Sequence, residues 1–314
     1  MRVAVIGAGM AGLSCAARLR TFGHQVEVFE KSRGLGGRLS TRRAGALRFD
    51  HGAQFATARD ADFLDLMQQN QVDRIAAPWT SPGTGTGWWV GRPGMSALVG
   101  RLSLGLDISL NTRITTLNRH GSLWSLEDET TRRHTDFDAV IVTVPGPQAE
   151  ALLRPVCAPL AEAAARMAYE PCWTLMMAFE ERLPLKQDVI AAKTEHMSWI
   201  ARDSAKPDRV AGADCWVVQA SPTWSRAHLE DTAEVTAERM AGMLADRFGF
   251  TLPRAIYQRA HRWRYARVER ALETPCMFDP DLMLGLAGDA CLAARVEAAF
   301  LSGRAAAEAL ISAR

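Results

Sequence analysis

At 314 residues the chain is long for one hydrophobic core and fits two lobes of ordinary domain size. A composition of 48% hydrophobic and 23% charged residues excludes a disordered or fibrous protein. The net charge of +2 excludes the broad basic field that draws nucleic acid or an anionic membrane surface.

Arginine supplies nearly all of the positive charge, with lysine only at positions 31, 186, 193 and 206. That bias suits phosphate recognition, and genome base composition accounts for it equally well. The six cysteines are scattered and form no C-x-x-C pair, so neither a metal site such as zinc nor a disulfide scaffold fits. The apolar run RVAVIGAG starts at residue 2 and belongs to the fold, not to a signal peptide. No stretch approaches the roughly 20 apolar residues of a membrane helix. A cytoplasmic protein with no membrane partner is expected.

Val3 to Ile6 reads as a short buried strand, apolar and β-branched. The turn Gly7-Ala8-Gly9-Met10-Ala11-Gly12 follows, and Leu13 to Thr21 reads as a helix. Gly7 permits the tight turn, Gly9 lets a pyrophosphate approach the backbone, and Gly12 lets the helix pack close to the strand. Free amides at the helix start, around Ala11, then face phosphates. Gln25 to Phe29 forms a second strand ending in Glu30, 18 residues beyond Gly12, where a carboxylate can bind a ribose hydroxyl. This much predicts dinucleotide binding and leaves NAD and FAD both open. KSRGLGGRLSTRR comes next and supplies Lys31, Gly36, Gly37 and Arg38.

Further on, RITTLNRHGSLWSLED reads as a hairpin turning at His120-Gly121, and FDAVIVTVPGP as a buried strand stopped by Pro145. CWTLMMAFE reads as a strand of the second lobe. Asp231 to Phe248 has helical spacing in Ala237, Met240, Met243, Leu244 and Phe248, a core stripe. In HRWRYA, a strand would put His261, Trp263 and Tyr265 on one face, and Arg262 and Arg264 on the other. The chain closes with a strand from Leu282 to Leu286, the pair Gly288-Asp289 and a helix from Ala298 to Ile311. Asp289 by itself reads as a cap or turn residue.

A Gly-Gly-Arg just after the acid-ending strand resembles the two-dinucleotide-binding-domain flavoproteins of the amine oxidase superfamily. More specifically, EKSRGLGGR, DHGAQFATARD, VGRPGMSAL, AHRWRYAR and GDACLAARVEAAFLSG resemble the renalases, bacterial ones above all, in order and spacing from Val3 to Leu310. The resemblance implies an α/β fold, a Rossmann-like FAD domain interleaved with a smaller α+β substrate domain. Residues 1–60, 95–150 and 276–314 would form the first, and residues 61–94 and 151–275 the second. It also implies non-covalent FAD held by Gly7, Gly9, Ala11, Gly12, Glu30, Lys31, Gly36, Gly37 and Arg38. The backbone of Ile114 would touch the adenine, Asp289 the ribityl–phosphate region, and the helix start at Val296 and Glu297 the flavin's pyrimidine edge. Gln54 and Phe55 would lie beside the isoalloxazine.

The implied reaction is oxidation of the 2- and 6-dihydro isomers of NAD(P), with hydride passed to flavin and electrons to dioxygen, giving NAD(P)+ and hydrogen peroxide. Such a substrate loses no N–H or O–H proton, so no general base is required, and no catalytic dyad or triad stands out in the chain. The substrate pocket would comprise Phe55, Ala56, Thr57, Ala58, Arg59, Cys172, Trp173, His261, Trp263 and Ala290. For Arg59 a plain surface position is a comparable reading, as is a satisfied core histidine for His261; His51 reads as structural. Three positions depart from the renalase pattern: Phe55 replaces a tyrosine, Glu170-Pro171-Cys172-Trp173 replaces Asp-Pro-Thr-Trp, and Ala290 replaces an aromatic residue. Two other readings stand beside this one, an oxidase of an amine or another small reduced metabolite, and a flavin-binding protein without turnover.

Overall fold

Arg2–Ile6, buried from Val3 onward, is flanked on both sides in a parallel arrangement, by Gln25–Phe29 and by Ala139–Val142. The computed structural model describes residues 1–192, 194–209 and 212–313. Asp107–Ser109 extends the sheet beyond Gln25–Phe29, and Leu284–Leu286 extends it beyond Ala139–Val142. Met277–Asp279 closes that edge antiparallel, making six strands. Arg2–Ile6, Ala139–Val142 and Leu284–Leu286 are near-continuous apolar runs, as expected of parallel strands covered on both faces. The six strands come from four separated parts of the chain.

Two helices lie against each other beside this sheet, Met10–Thr21 and Val296–Ser312. Their contact is close because it is made of small residues. A Cβ on Gly303 would stand 2.0 Å from the carbonyl oxygen of Ala11, and Ser14 Oγ donates to the Phe300 carbonyl at 2.9 Å. Ile114–His120, Leu123–Asp128 and Arg133–Phe137 form a separate antiparallel meander, turning where the sequence places His120-Gly121.

The second lobe is built on a five-stranded antiparallel sheet ordered Val189–Ile190, Met197–Arg202, Asp214–Ala220, Ala168–Phe179 and Tyr257–Arg270. Ala237, Met240 and Leu244 of the helix Ala233–Phe248 share a core with Trp173, Leu175, Met177, Trp216 and Val218 from this sheet. The helix starts two residues later than its apolar pattern suggests, because the Thr232 hydroxyl caps it by accepting from the Val235 amide at 3.3 Å. Alternate residues of the same strands, Met176, Ala178, Cys215 and Val217, bury Phe49 from the ribbon Thr41–Ala44 and Leu47–Asp50. That ribbon ties the amino-terminal segment to the second lobe. At the far end of the chain a short helix, Asp289–Leu292, stands between the last strand and the closing helix, which begins at Val296, earlier than the sequence pattern indicates.

Candidate cofactor and substrate cleft

Both lobes contribute to a cleft of about 2190 Å³. Its floor begins at the first glycine turn. Gly7 has φ +108°, and a Cβ there would stand 2.8 Å from Thr143 Oγ1. A Cβ on Gly12 would stand 1.9 Å from the Gly7 carbonyl oxygen, so only glycine lets the helix start this close to the strand. Gly9, by contrast, has no protein atom within 4 Å of a Cβ position, and it lines the cleft. The helix start carries no side-chain cap and no acidic first-turn residue. Its amides are left for an anion.

The Glu30 carboxylate is buried and fixed, accepting from the Ala8 amide at 2.9 Å and the Ser32 amide at 2.8 Å. Gly36 meets Gly9 in an isolated bridge, with its amide donating to the Ala8 carbonyl at 2.8 Å. Arg38 Nη2 then reaches Asp289 Oδ1 at 2.5 Å. The two glycine–acid signatures, at opposite ends of the sequence, therefore meet through one ion pair. Ile114 and Val296 also line the cleft. The closing helix, like the first, begins without a side-chain cap.

These features fit FAD. Open helix-start amides and an arginine suit a diphosphate, a fixed carboxylate suits a ribose, and a second helix start stabilises negative charge on a reduced flavin ring. When bound, FAD supplies a two-electron acceptor.

On the substrate side the segment His51–Phe55 is held from several directions. Trp263 Nε1 donates to the His51 carbonyl at 2.8 Å, and Gln219 Nε2 donates to the Gly52 carbonyl at 2.8 Å. The Ala53 amide donates to the Arg38 carbonyl at 2.9 Å. Gln54 Nε2 donates to the carbonyls of Asp50 and Gly52, and its Oε1 accepts from Lys206 Nζ at 3.4 Å. Behind this segment sits a buried charge cluster. Lys206 Nζ is 3.0 Å from Asp50 Oδ2 and 2.7 Å from Asp203 Oδ1, and Arg209 pairs with both carboxylates. Burial alone would raise the Asp50 carboxyl, but Lys206 and Arg209 outweigh it and hold the group at about 2.

His51, His261 and Trp263 form an aromatic wall, with ring centroids 4.6 to 5.2 Å apart. Burial, with the charges of His261 and Arg42 adding to it, lowers the His51 ring to about 3. Burial, then Arg42 and Arg259, lowers His261 to about 4. Both imidazoles are uncharged at neutral pH. Phe55 lines the cleft and stacks on Trp88 with centroids 3.9 Å apart.

Most residues singled out in the sequence come together here: Gly7, Gly9, Ala11, Glu30, Lys31, Gly36, Gly37, Arg38, Gln54, Phe55, Ala56, Thr57, Ile114, Cys172, His261, Trp263, Asp289 and Val296 all line the cleft. Gly12, Ala58, Arg59, Trp173, Ala290 and Glu297 do not. Gly12 acts from beneath, through packing. Arg59 is exposed, as its alternative reading holds. The Glu297 carboxylate turns away and accepts from the amides of Arg59 and Asp60 at 2.5 and 2.8 Å. Trp173 points to the far side of its sheet, where Nε1 donates to the His228 carbonyl at 2.8 Å. Ala290 is buried in the core beneath the FAD sheet, so its difference from an aromatic residue does not alter the cleft wall.

Sequence reasoning missed the Asp50–Asp203–Lys206–Arg209 cluster, which no motif announces. The scarcity of lysine was the one available signal, since Lys206 is among only four. It also missed the charge of the cleft. Arg33, Arg38, Arg42, Arg43, Arg48 and Arg264 are among its lining residues, against Glu30, Glu170 and Asp289 as the lining carboxylates among the described residues.

Residues 5–69 match the NAD(P)-binding Rossmann-like domain, and residues 72–311 match the flavin containing amine oxidoreductases. The chain belongs to that flavin-containing oxidoreductase family. Its cofactor is FAD. Covalent attachment through Cys291 does not fit, because that thiol is buried outside the cleft and burial raises it to about 12.

Among relatives in the family, the 4,4'-diapophytoene desaturase (4,4'-diaponeurosporene-forming) of Staphylococcus aureus strain Newman is 46% identical over 99 residues, covering 25% of this chain and 20% of that protein. The same enzyme from strain MRSA252 is 38% identical over 77 residues, covering 24% and 15%. These matches therefore span a fifth or less of the relatives' length. A putative protoporphyrinogen oxidase from Exiguobacterium sp. 255-15 superposes with a TM-score of 0.81 at 14% identity, over 100% of this chain and 99% of that one. A redesigned putrescine oxidase triple mutant superposes with a TM-score of 0.75 at 15% identity, over 99% and 98%. Both share the fold of this family member. Among the described residues no helix is long and apolar enough to cross a membrane.

Proposed function

We propose that this family member is an FAD-dependent oxidase of the renalase type. It oxidises 2- and 6-dihydro isomers of NAD(P) and passes the electrons to dioxygen, giving NAD(P)+ and hydrogen peroxide. Residues 1–60, 95–150 and 276–314 hold the cofactor in this reading, and residues 61–94 and 151–275 shape the substrate space.

The observation that carries the reading is the positive charge of the cleft. Arginines outnumber carboxylates along its lining, and a dinucleotide brings phosphates that they attract. An amine substrate is a cation at neutral pH and meets the opposite field. Membership of an oxidoreductase family argues against a flavin carrier without turnover.

The chain's own residues have modest tasks in this chemistry. Loss of hydride from a dihydropyridine leaves an aromatic cation, so no side chain has to remove a proton. The wall of His51, His261 and Trp263 is uncharged and does not repel the positive ring as it forms. Phe55, backed by Trp88, offers an apolar face that excludes water and orients a flat ring. The bonds that strap His51–Phe55 hold this face in place.

Anaerobic mixing of the FAD-loaded protein with borohydride-reduced NAD+, which contains the isomers, tests the proposal against NADH and simple amines. Rapid bleaching of the flavin by the isomer mixture alone is expected, with peroxide appearing on admission of air. Bleaching by amines alone would sink it.

A further inference from the structure

The ribbon of Thr41–Ala44 and Leu47–Asp50 brings three arginines to the cleft. Its register sets Arg43 directly opposite Arg48. Like charges facing each other across two strands destabilise the pair unless something neutralises them. Arg42 lies on the other face, where its Nη2 approaches Nδ1 of His261 at 3.4 Å. That partner is an uncharged ring.

Among the described residues none of these three arginines forms an ion pair. Other arginines lining the same cleft do: Arg38 closes on Asp289, and Arg262 and Arg264 both close on Glu230. The Nε of Arg48 is buried without a hydrogen-bond partner. A buried N–H left unpaired is costly, and an anion held by Arg48 would satisfy it. The ribbon is also well anchored. Phe49 stacks on Tyr257 with centroids 5.0 Å apart, and Thr41 Oγ1 donates to Asp50 Oδ1 at 2.8 Å.

The geometry points to a second diphosphate subsite, clamped by Arg43 and Arg48, that holds the phosphates of the dinucleotide substrate. Its residues are distinct from the glycine turn and Arg38, which serve the cofactor in the oxidase reading. Guanidinium forks suit this task because they bind phosphate oxygens two at a time. The identity of the anion rests on the oxidase reading; the unneutralised arginine cluster does not.

The test uses the FAD-loaded protein and ADP, which has a diphosphate and no nicotinamide, followed by titration calorimetry. Adenosine is the uncharged control. Wild type is expected to bind ADP and not adenosine. The R43Q/R48Q variant is expected to bind ADP at least about tenfold more weakly, as loss of charge-assisted bonds implies. R43K/R48K, which keeps the charge and removes the fork, is expected to fall between. R132Q/R133Q removes equal charge from the meander and is expected to keep wild-type affinity.

Equal ADP affinity in R43Q/R48Q and wild type, or no ADP binding by wild type, overturns the subsite. Loss of the flavin's visible absorbance from R43Q/R48Q assigns the arginines to the cofactor and overturns it too. If the dihydro isomers fail to bleach the flavin while ADP binding still depends on Arg43 and Arg48, the substrate reading falls and the diphosphate subsite stands.

Discussion

The two sides of the cleft are built on different principles. The cofactor side relies on backbone: glycines at turns, open helix starts, and a carboxylate fixed by two amides. The substrate side relies on side chains. A buried cluster of two carboxylates, a lysine and an arginine braces the cleft-lining segment His51–Phe55. Backbone recognition is enforced residue by residue through steric fit. Recognition by a buried charge cluster is collective, and removing one member strands the others.

This contrast breaks most sharply at the glycines. Gly12→Val would drive a side chain into the Gly7 carbonyl, and it is expected to lose both flavin and stable folding. At Gly9 a Cβ would have no protein atom within 4 Å, so Gly9→Val is expected to fold and yet to purify colourless. The ratio of flavin to protein absorbance, read with a thermal melt, separates the two. If Gly9→Val retains full flavin, the backbone at that position does not approach the cofactor.

On the other side, Lys206→Met leaves Asp50 and Asp203 buried together with only Arg209 between them. Breaking a buried pair in this way costs about 3 kcal/mol or more. Denaturant unfolding of the FAD-free protein measures it, and a loss under about 1 kcal/mol would mean that water or rearrangement neutralises the pair.

The smallest effect is one of pH. His51 and His261 bind protons more weakly folded than unfolded, their rings lying at about 3 and about 4 against an ordinary 6.5. The unfolded chain then holds more protons in acid, so stability is complete above about 6.5 and declines as pH falls through about 4. A melting-temperature profile over that window is expected to slope downward toward acid, and to flatten in H51N/H261N. An unchanged slope in the variant would assign the acid sensitivity to carboxylates.

What was legible in the sequence follows the same division. Gly7, Gly12 and Glu30 could be read because each meets a local requirement within one strand–turn–helix–strand unit. Asp289 could be placed only by its likeness to a known motif, since its partner Arg38 lies 251 positions away. The pairing of Asp50 with Lys206 left no local trace. Trp173 shows how register decides exposure. Its strand shifts register between Glu170 and Cys172, after which Cys172 faces the cleft and Trp173 the opposite core. Ala290 went astray because the short helix at Asp289 turns the chain inward just beyond the aspartate.

The ion pair between Arg38 and Asp289 has a consequence for biosynthesis. Asp289 leaves the ribosome 251 residues after Arg38, and the sheet and the flavin cradle need it together with the strand Leu284–Leu286. A nascent chain can form the first strand and glycine turn early, but Arg38 lacks Asp289 across from it until translation has passed that residue. Acquisition of the yellow cofactor thus waits for the strand Leu284–Leu286 and Asp289, and products terminated before them are expected to be colourless.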